Sequence, residues 1–327
     1  FSPVATEQAA PSSAAHRPHG LLHAPGSWRA SELFTLGDLG VLNAPSSIVG
    51  VVPKNIFTYW DDPNNIPDLV AGCIARMHHF NPDWTIYLLY PGVPNVEPPP
   101  QKMANACCGG FDDPTHQADW YRSAALAKYG GVWLDSTSIV NQPIDRWADL
   151  DMDAVQGWEW VGGNLAMENW GFVVPYKSQL MATWMEEMRN AWQMGPELYC
   201  ANIPQPVQIS SSLRSWLPYL TMHACFVVSW TLLPTERVRF IASSSDPGQP
   251  FNFLAMTNWD TSAALNLIFF QMNQTQISNT TFFKLRGDER HAAQSLASYA
   301  SQGSLLAREM LALLPPSPPP PASSENR

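Results

Sequence analysis

Strand-like and helix-like apolar patterns alternate through residues 51–90, and that alternation limits the possible folds more than any other feature of the chain. VVPKNIFTYW (51–60) is rich in β-branched and aromatic residues and ends at Asp61-Asp62-Pro63, which predicts a strand running into a loop. Leu69, Val70, Cys73, Ile74 and Met77 then recur at helical spacing, predicting a helix that starts near Pro67 and stops at Asn81-Pro82. WTIYLLY (84–90) reads as a second buried strand, followed by a proline-heavy loop through Pro100. Strand, helix and strand in this compass form a βαβ unit. A helix from Pro114 to Tyr129 and a short strand at Val132-Trp133-Leu134 continue the pattern. Beyond residue 150 regularity fades, apart from a helix around Leu180–Trp192. The expected class is α/β, with a mostly parallel sheet flanked by helices and an irregular second half.

Composition narrows the function. Hydrophobic residues make up 45% of the 327, so wholesale disorder is excluded. The net charge of −10 argues against a general nucleic-acid binder, which needs clustered Lys and Arg to neutralise phosphates. No run of 18 or more apolar residues occurs, which predicts no membrane span in this chain. The first residue is Phe1 rather than Met, which suggests a processed or trimmed amino terminus and an anchor lost upstream. Residues 1–50, rich in Ala, Ser, Pro and His, read as a stem or linker. Residues 51–290 form the expected folded domain, and residues 291–327 a C-terminal helix with a polyproline tail, LPPSPPPPASSENR. Five cysteines (Cys73, Cys107, Cys108, Cys200, Cys225) form no CxxC pattern, and their odd number leaves at least one thiol free or paired with another chain. His78-His79 reads as a surface or capping pair rather than a metal site. Asn273-Gln274-Thr275 and Asn279-Thr280-Thr281 are N-glycosylation sequons.

The chemistry concentrates in HQADWYRSAALAKYGGVWLDSTSIV (116–140). Asp113-Pro114 is a helix start with Pro at the first helical position. Asp119 and Arg122 lie three apart and project from one face of that helix. Gly130-Gly131 ends the helix where a left-handed cap carries no Cβ clash. The apolar strand that follows delivers Asp135 at its carboxyl end, where open α/β sheets bind ligands. Asp135, the Ser136 and Thr137 hydroxyls and the Asp119/Arg122 pair are therefore expected to converge. That grouping suits a nucleotide sugar. A divalent ion held by a carboxylate neutralises a diphosphate and stabilises it as it leaves, while carboxylate and guanidinium groups grip sugar hydroxyls.

The helix with Asp-x-x-Arg followed by Tyr-Gly-Gly-x-x-x-Asp resembles the glycosyltransferases with a DXD sugar-binding region, among them capsular-polysaccharide synthesis proteins and family 32-like enzymes. VPKNIFTYW is similar to the family's opening strand, and FFKLRGDER (282–290) resembles a late Lys-Leu motif of the capsular branch. The resemblance spans about residues 51–290, with specific motifs only in 51–60 and 116–140. It implies a GT-A-type, Rossmann-like fold, a nucleotide-sugar donor, Mn²⁺ or Mg²⁺, a carbohydrate or glycoprotein acceptor and, usually, retention of configuration. By position, Trp60 matches the tryptophan stacked on the nucleobase, Asp119 and Arg122 the pair holding the donor sugar, and Asp135 the first aspartate of the metal motif. Thr137 departs from the commonest pattern, which has a second aspartate there; the capsular branch tolerates Asp-x-Thr, in which Thr137 stands beside the donor.

Alternatives stay open at several points. Trp60 also reads as an ordinary core aromatic, and Asp119/Arg122 as a surface ion pair. Trp158, Trp160 and Trp170 read either as packing or as an acceptor groove, with Glu159, Asn164, Glu168 and Asn169 as candidates to orient an acceptor hydroxyl. The rival reading of the whole chain is an inactive carbohydrate-binding or scaffold protein of the same fold. GxxxxGK[ST] and a strand-linked GxGxxG are both missing from the sequence, against P-loop kinases and dinucleotide enzymes. The sequons, the stem-like leader and the reaction class together point to the secretory pathway and the Golgi lumen.

Overall fold

The computed structural model describes residues 27–33, 48–100, 113–160, 166–242 and 248–315. Cys107, Cys108 and Asn164 lie outside these, as do most of the leader and the proline-rich tail. A two-residue strand β1 (Ser27–Trp28) and a single turn α1 (Ala30–Leu33) precede β2 (Asn55–Tyr59), all five of whose residues are buried. The ladder begins at Asn55 rather than at Val51, because Pro53 has no N–H to give it. A short β3 (Ile66–Pro67) pairs antiparallel with β1 and leads straight into α2 (Asp68–Phe80), then β4 (Thr85–Leu89). β2 and β4 are parallel in the register Ile56↔Ile86, which completes the βαβ unit.

Helix α3 spans Pro114–Tyr129, with the Asp113 carboxylate accepting the Thr115 N–H as its N-cap. The chain then turns through Gly130 at φ 63° and Gly131 at φ 109° into β5 (Gly131–Leu134). Glycine is required twice over here: a Cβ on Gly131 would lie 2.6 Å from the Asn55 carbonyl, and one on Gly130 would lie 2.9 Å from the Tyr176 backbone. β6 (Ser138–Val140), β7 (Val155–Glu159) and β8 (Met167–Val174) follow. Next come α4 (Gln179–Met194), α5 (Pro196–Ala201), α6 (Ser211–Arg214), α7 (Thr221–Leu232) and β9 (Val238–Ile241). The last part is short pieces: α8 (Asn252–Met256), α9 (Thr261–Asn266), α10 (Gln274–Asn279), β10 (Phe282–Lys284), α11 (Gly287–Ala292), α12 (Leu296–Ser301) and α13 (Leu305–Ala312).

Six strands form one sheet in the order β4-β2-β5-β8-β7-β9. β2 is parallel to β4 and to β5, β7 is parallel to β9, and the β5–β8 and β7–β8 pairs are antiparallel. The α/β class holds, but the sheet is mixed: the antiparallel pairings come with β8, beyond residue 150, where sequence periodicity weakened. Side chains alternate across it. Ile56, Val132 and Leu134 enter a core shared with α2, α12 and α13, while Phe57, Tyr59 and Trp133 enter one shared with α3, α4 and α7. α2 is anchored to the C-terminal helices by the buried Asp68, whose carboxylate accepts the Leu296 N–H at 2.7 Å, and by Arg76, which meets Glu309 at 3.3 Å. No helix among the described residues is long and apolar enough to cross a membrane.

A separate two-stranded ladder positions the site. β6 pairs antiparallel with β10 in the register Ile139↔Phe283 and Ser138↔Lys284. It brings Lys284 beside the turn that leaves β5.

Candidate active site

α3 carries Asp119 and Arg122 one turn apart, and both are buried, less than a tenth exposed. The Arg122 guanidinium donates through Nη1 to Asp119 Oδ1 at 2.6 Å and through Nη2 to Asp135 Oδ1 at 2.8 Å. It also lies 4.6 Å over the Trp133 ring, so a face of the cation is covered while two of its nitrogens are held by carboxylates. Asp135 follows β5 directly. Its N–H donates to the Trp170 carbonyl at 2.8 Å and its carbonyl accepts from Ser138 N–H at 2.9 Å, which fixes the turn. Asp119, Arg122 and Asp135 therefore meet in one cluster. The surface ion-pair reading of Asp119 and Arg122 does not apply, since their side chains are only 6% and 4% exposed.

Trp60 follows β2 on the same carboxyl edge. Its backbone N–H donates to the Leu89 carbonyl at 3.0 Å, and its side chain packs against the core shared with α2. The Trp60 indole N–H donates to the Asn65 carbonyl at 3.1 Å, and Arg290 lies 5.7 Å over its half-buried ring. Thr137 is buried. Its hydroxyl donates to the Leu285 carbonyl at 3.0 Å and accepts from Lys284 Nζ at 3.0 Å.

Lys284 and Asn169 complete the cluster. The Lys284 ammonium meets Asp135 Oδ2 at 2.9 Å, and Asn169 on β8 donates to Asp119 Oδ1 at 3.0 Å. With the Trp133 indole N–H on Oδ1 at 2.8 Å, both oxygens of Asp135 are engaged. Lys284 was not among the site residues expected from the sequence. The signal that could have found it is a lysine inside the buried run FFKL, since an ammonium in a strand needs a carboxylate partner. Asn169, a candidate to orient an acceptor hydroxyl, also holds Asp119 through its hydrogen bond. Nearby, the buried His223 and Glu168 approach to 3.8 Å, and the His223 ring packs edge-on against Trp160.

The two carboxylates are pushed in opposite directions. Burial raises the Asp119 pKa, and the Arg122 charge only partly offsets it. Burial acts on Asp135 too, but the Lys284 and Arg122 cations outweigh it and hold that carboxyl below the ordinary range. Asp135 is thus firmly ionised, while Asp119 keeps its proton to higher pH. Solvent reaches the cluster at Asp135, whose side chain is 24% exposed.

Other expected residues lie elsewhere. Trp158 and Trp170 are 1% and 2% exposed and stack at 5.8 Å within the core, so neither offers a face to a sugar. Trp160 is half-buried, and His78 and His79 are exposed. Cys73, Cys200 and Cys225 are free thiols. Among the described residues no group of three His, Cys, Asp or Glu gathers to hold a metal. The donor set around Asp135 does not fit the expected Mn²⁺ or Mg²⁺ either, because its carboxylate and the Thr137 hydroxyl already surround an ammonium.

The charged cluster lies at the carboxyl edge of parallel strands, the edge at which open α/β sheets in general bind their ligands. Family comparison is more specific: residues 47–198 match the model of the family described as capsular polysaccharide synthesis protein, so the resemblance carried by the Asp-x-x-Arg and Gly-Gly-x-x-x-Asp motifs is borne out over that stretch. The O-glycosyltransferase PaGT of Phomopsis amygdali is 29% identical over 150 residues, which cover 42% of this chain and 35% of the relative. The match thus spans about a third of that relative's length. Two solved structures are similar at low identity. The PaToxG glycosyltransferase shares 13% identity at a TM-score of 0.36, covering 59% of this chain and 83% of that one. The galactosyltransferase LgtC, solved with donor and acceptor sugar analogs, shares 11% at a TM-score of 0.44, covering 81% and 98%.

Proposed function

We propose that this chain is a glycosyltransferase that moves a sugar from a nucleotide-sugar donor to a hydroxyl of a glycan, glycoprotein or other acceptor, with retention of configuration. The observation that carries the reading is Arg122, buried at the sheet's carboxyl edge and bonded at once to Asp119 and Asp135. Asp119 and Arg122 orient the donor sugar through charge-assisted hydrogen bonds to its hydroxyls. The Arg122 and Lys284 cations stabilise the negative charge that develops as the bond from the anomeric carbon to the diphosphate oxygen breaks. The acceptor oxygen bonds to that carbon on the same face, and its proton goes to the departing phosphate. The oxygen acceptor is supported by the O-glycosyltransferase relative. Mn²⁺ or Mg²⁺, implied by the resemblance, finds no fitting donor set among the described residues, and no step depends on it. Exposed sequon asparagines at 273 and 279 agree with a chain of the secretory pathway, in the Golgi lumen.

The test is release of nucleoside diphosphate from a panel of uridine- and guanosine-diphosphate sugars, with acceptor hydroxyls supplied as simple glycosides. Asp119→Asn and Asp135→Asn serve as controls. Turnover that both substitutions abolish supports the reading, and turnover untouched by either refutes the assignment of the site. Nucleotide binding with no turnover on any acceptor favours the inactive scaffold of the same fold.

A further inference from the structure

Lys284 is 8% exposed, and its ammonium sits among three oxygens: Asp135 Oδ2 at 2.9 Å, Thr137 Oγ1 at 3.0 Å and the Leu285 carbonyl at 2.9 Å. A carboxylate, a hydroxyl and a carbonyl converging on one point are the oxygen ligands that a hard divalent ion takes. Here the three protons of an ammonium satisfy them instead. The placement is held by the backbone. β10 pairs with β6 in the register Lys284↔Ser138, and the Leu285 N–H donates to the Thr137 carbonyl at 3.2 Å, so the lysine is fixed on both sides.

The remaining oxygen of Asp135 is no more available, because it accepts from Arg122 Nη2 and from the Trp133 indole N–H, each at 2.8 Å. A divalent ion would have to expel Lys284 from its compensating carboxylate or lie against two cations. Charge points the same way. Asp119 and Asp135 balance Arg122 and Lys284, and where a second carboxylate could have faced the ligand the chain has the neutral Thr137. Among the described residues no third His, Cys, Asp or Glu gathers with them to match two further positive charges.

We propose that Lys284 is the resident cation of this site and that the chain binds a nucleoside diphosphate without a divalent ion. The inference rests on the donor-binding reading above and deepens it by naming what neutralises the diphosphate. Lys284 lies outside the stretch that matches the capsular family model, which ends at residue 198.

The experiment titrates the full chain with uridine diphosphate and with guanosine diphosphate by calorimetry, in excess EDTA and again in Mn²⁺. Electron paramagnetic resonance of Mn²⁺ with wild-type protein runs beside it. The expected result is binding of one nucleotide in EDTA at an affinity Mn²⁺ does not improve, with the free Mn²⁺ signal undiminished by protein and nucleotide beyond nucleotide alone. Lys284→Met should weaken binding in EDTA by at least about tenfold, a loss of ~1.4 kcal/mol. If that variant does not fold, as circular dichroism will show, the wild-type measurements decide alone. Binding that vanishes in EDTA and returns with Mn²⁺ overturns the inference and leaves the donor reading standing. A folded Lys284→Met that binds like wild type also overturns it. No binding of either nucleotide in either condition removes the donor reading and the inference with it.

Discussion

Replacing Arg122 with Met tests whether the cluster is a buried charge network. The substitution keeps an unbranched chain of similar reach and removes bonds of 2.6 Å to Asp119 and 2.8 Å to Asp135. The two carboxylates then fare differently. Asp135 keeps Lys284 at 2.9 Å and the Trp133 indole, whereas Asp119 is left with Asn169 as its hydrogen-bond donor from outside its own helix. Removing one partner of a buried pair typically destabilises by about 3–5 kcal/mol, because the other charge stays buried without compensation. The cation–π contact over Trp133 adds about 0.5–2 kcal/mol to that loss.

Asp119 can escape by taking up a proton, which makes the loss depend on pH in a fixed direction. Its folded pKa is already raised by burial, and without Arg122 it rises further. A carboxyl with a raised folded pKa supports the fold fully below its unfolded pKa of ~3.9 and loses that support as pH climbs through the folded value. Urea denaturation from about pH 4 to about pH 8 should therefore show the variant closest to wild type at the acid end. It should fall behind by up to about 1.36 kcal/mol for each pKa unit by which its folded Asp119 value exceeds that of the wild type, with an unchanged m-value. Adding Asp119→Asn should flatten that difference. A deficit under about 1 kcal/mol at every pH, as for an exposed pair, would refute the reasoning.

Three other outcomes are expected. Gly131→Ala places a Cβ 2.6 Å from the Asn55 carbonyl at φ 109° and should destabilise by about 1–3 kcal/mol or more, while Gly92→Ala, also at positive φ but with nothing within 4 Å, should lower the melting temperature less. Trp158→Ala should destabilise by about 3–5 kcal/mol by emptying a core position, whereas Trp60→Ala, at a half-buried position, should destabilise less and raise the donor KM with little change in kcat; equal KM effects for the two would undo the assignment of Trp60. Chain expressed through a secretory pathway should lose mass on enzymatic deglycosylation, with peptide mapping locating sugar at the exposed Asn273 or Asn279.

What the sequence made legible was local. The helix over 114–129 announces itself through Asp113-Pro114 at one end and Gly130-Gly131 at the other, and the structure has those bounds. The spacing of Asp119, Arg122 and Asp135 crosses a single helix–turn–strand unit, so chain geometry alone brings them together. The antiparallel pairings of β8 were not legible, because Met167–Val174 is buried along most of its length and buried strands show no alternation to read. Trp158 and Trp170 show the limit of residue type: an indole reads equally as packing or as a sugar platform until its exposure is known.

Lys284 is the sharper case, since its bond to the Thr137 hydroxyl joins positions 147 apart. Nothing within FFKLRGDER says which carboxylate the lysine meets; that follows only from β10 closing against β6. Yet burial energetics could have been argued without coordinates. A lysine between the apolar Phe283 and Leu285 can stay charged in a buried strand only against an anion, and the carboxylate expected at the sheet's carboxyl edge was Asp135. The threonine at 137 and the lysine at 284 then become one feature rather than two. Removing a carboxylate from the motif leaves a single negative charge and a hydroxyl, and a monovalent ammonium matches that pair where a divalent ion would overcompensate it.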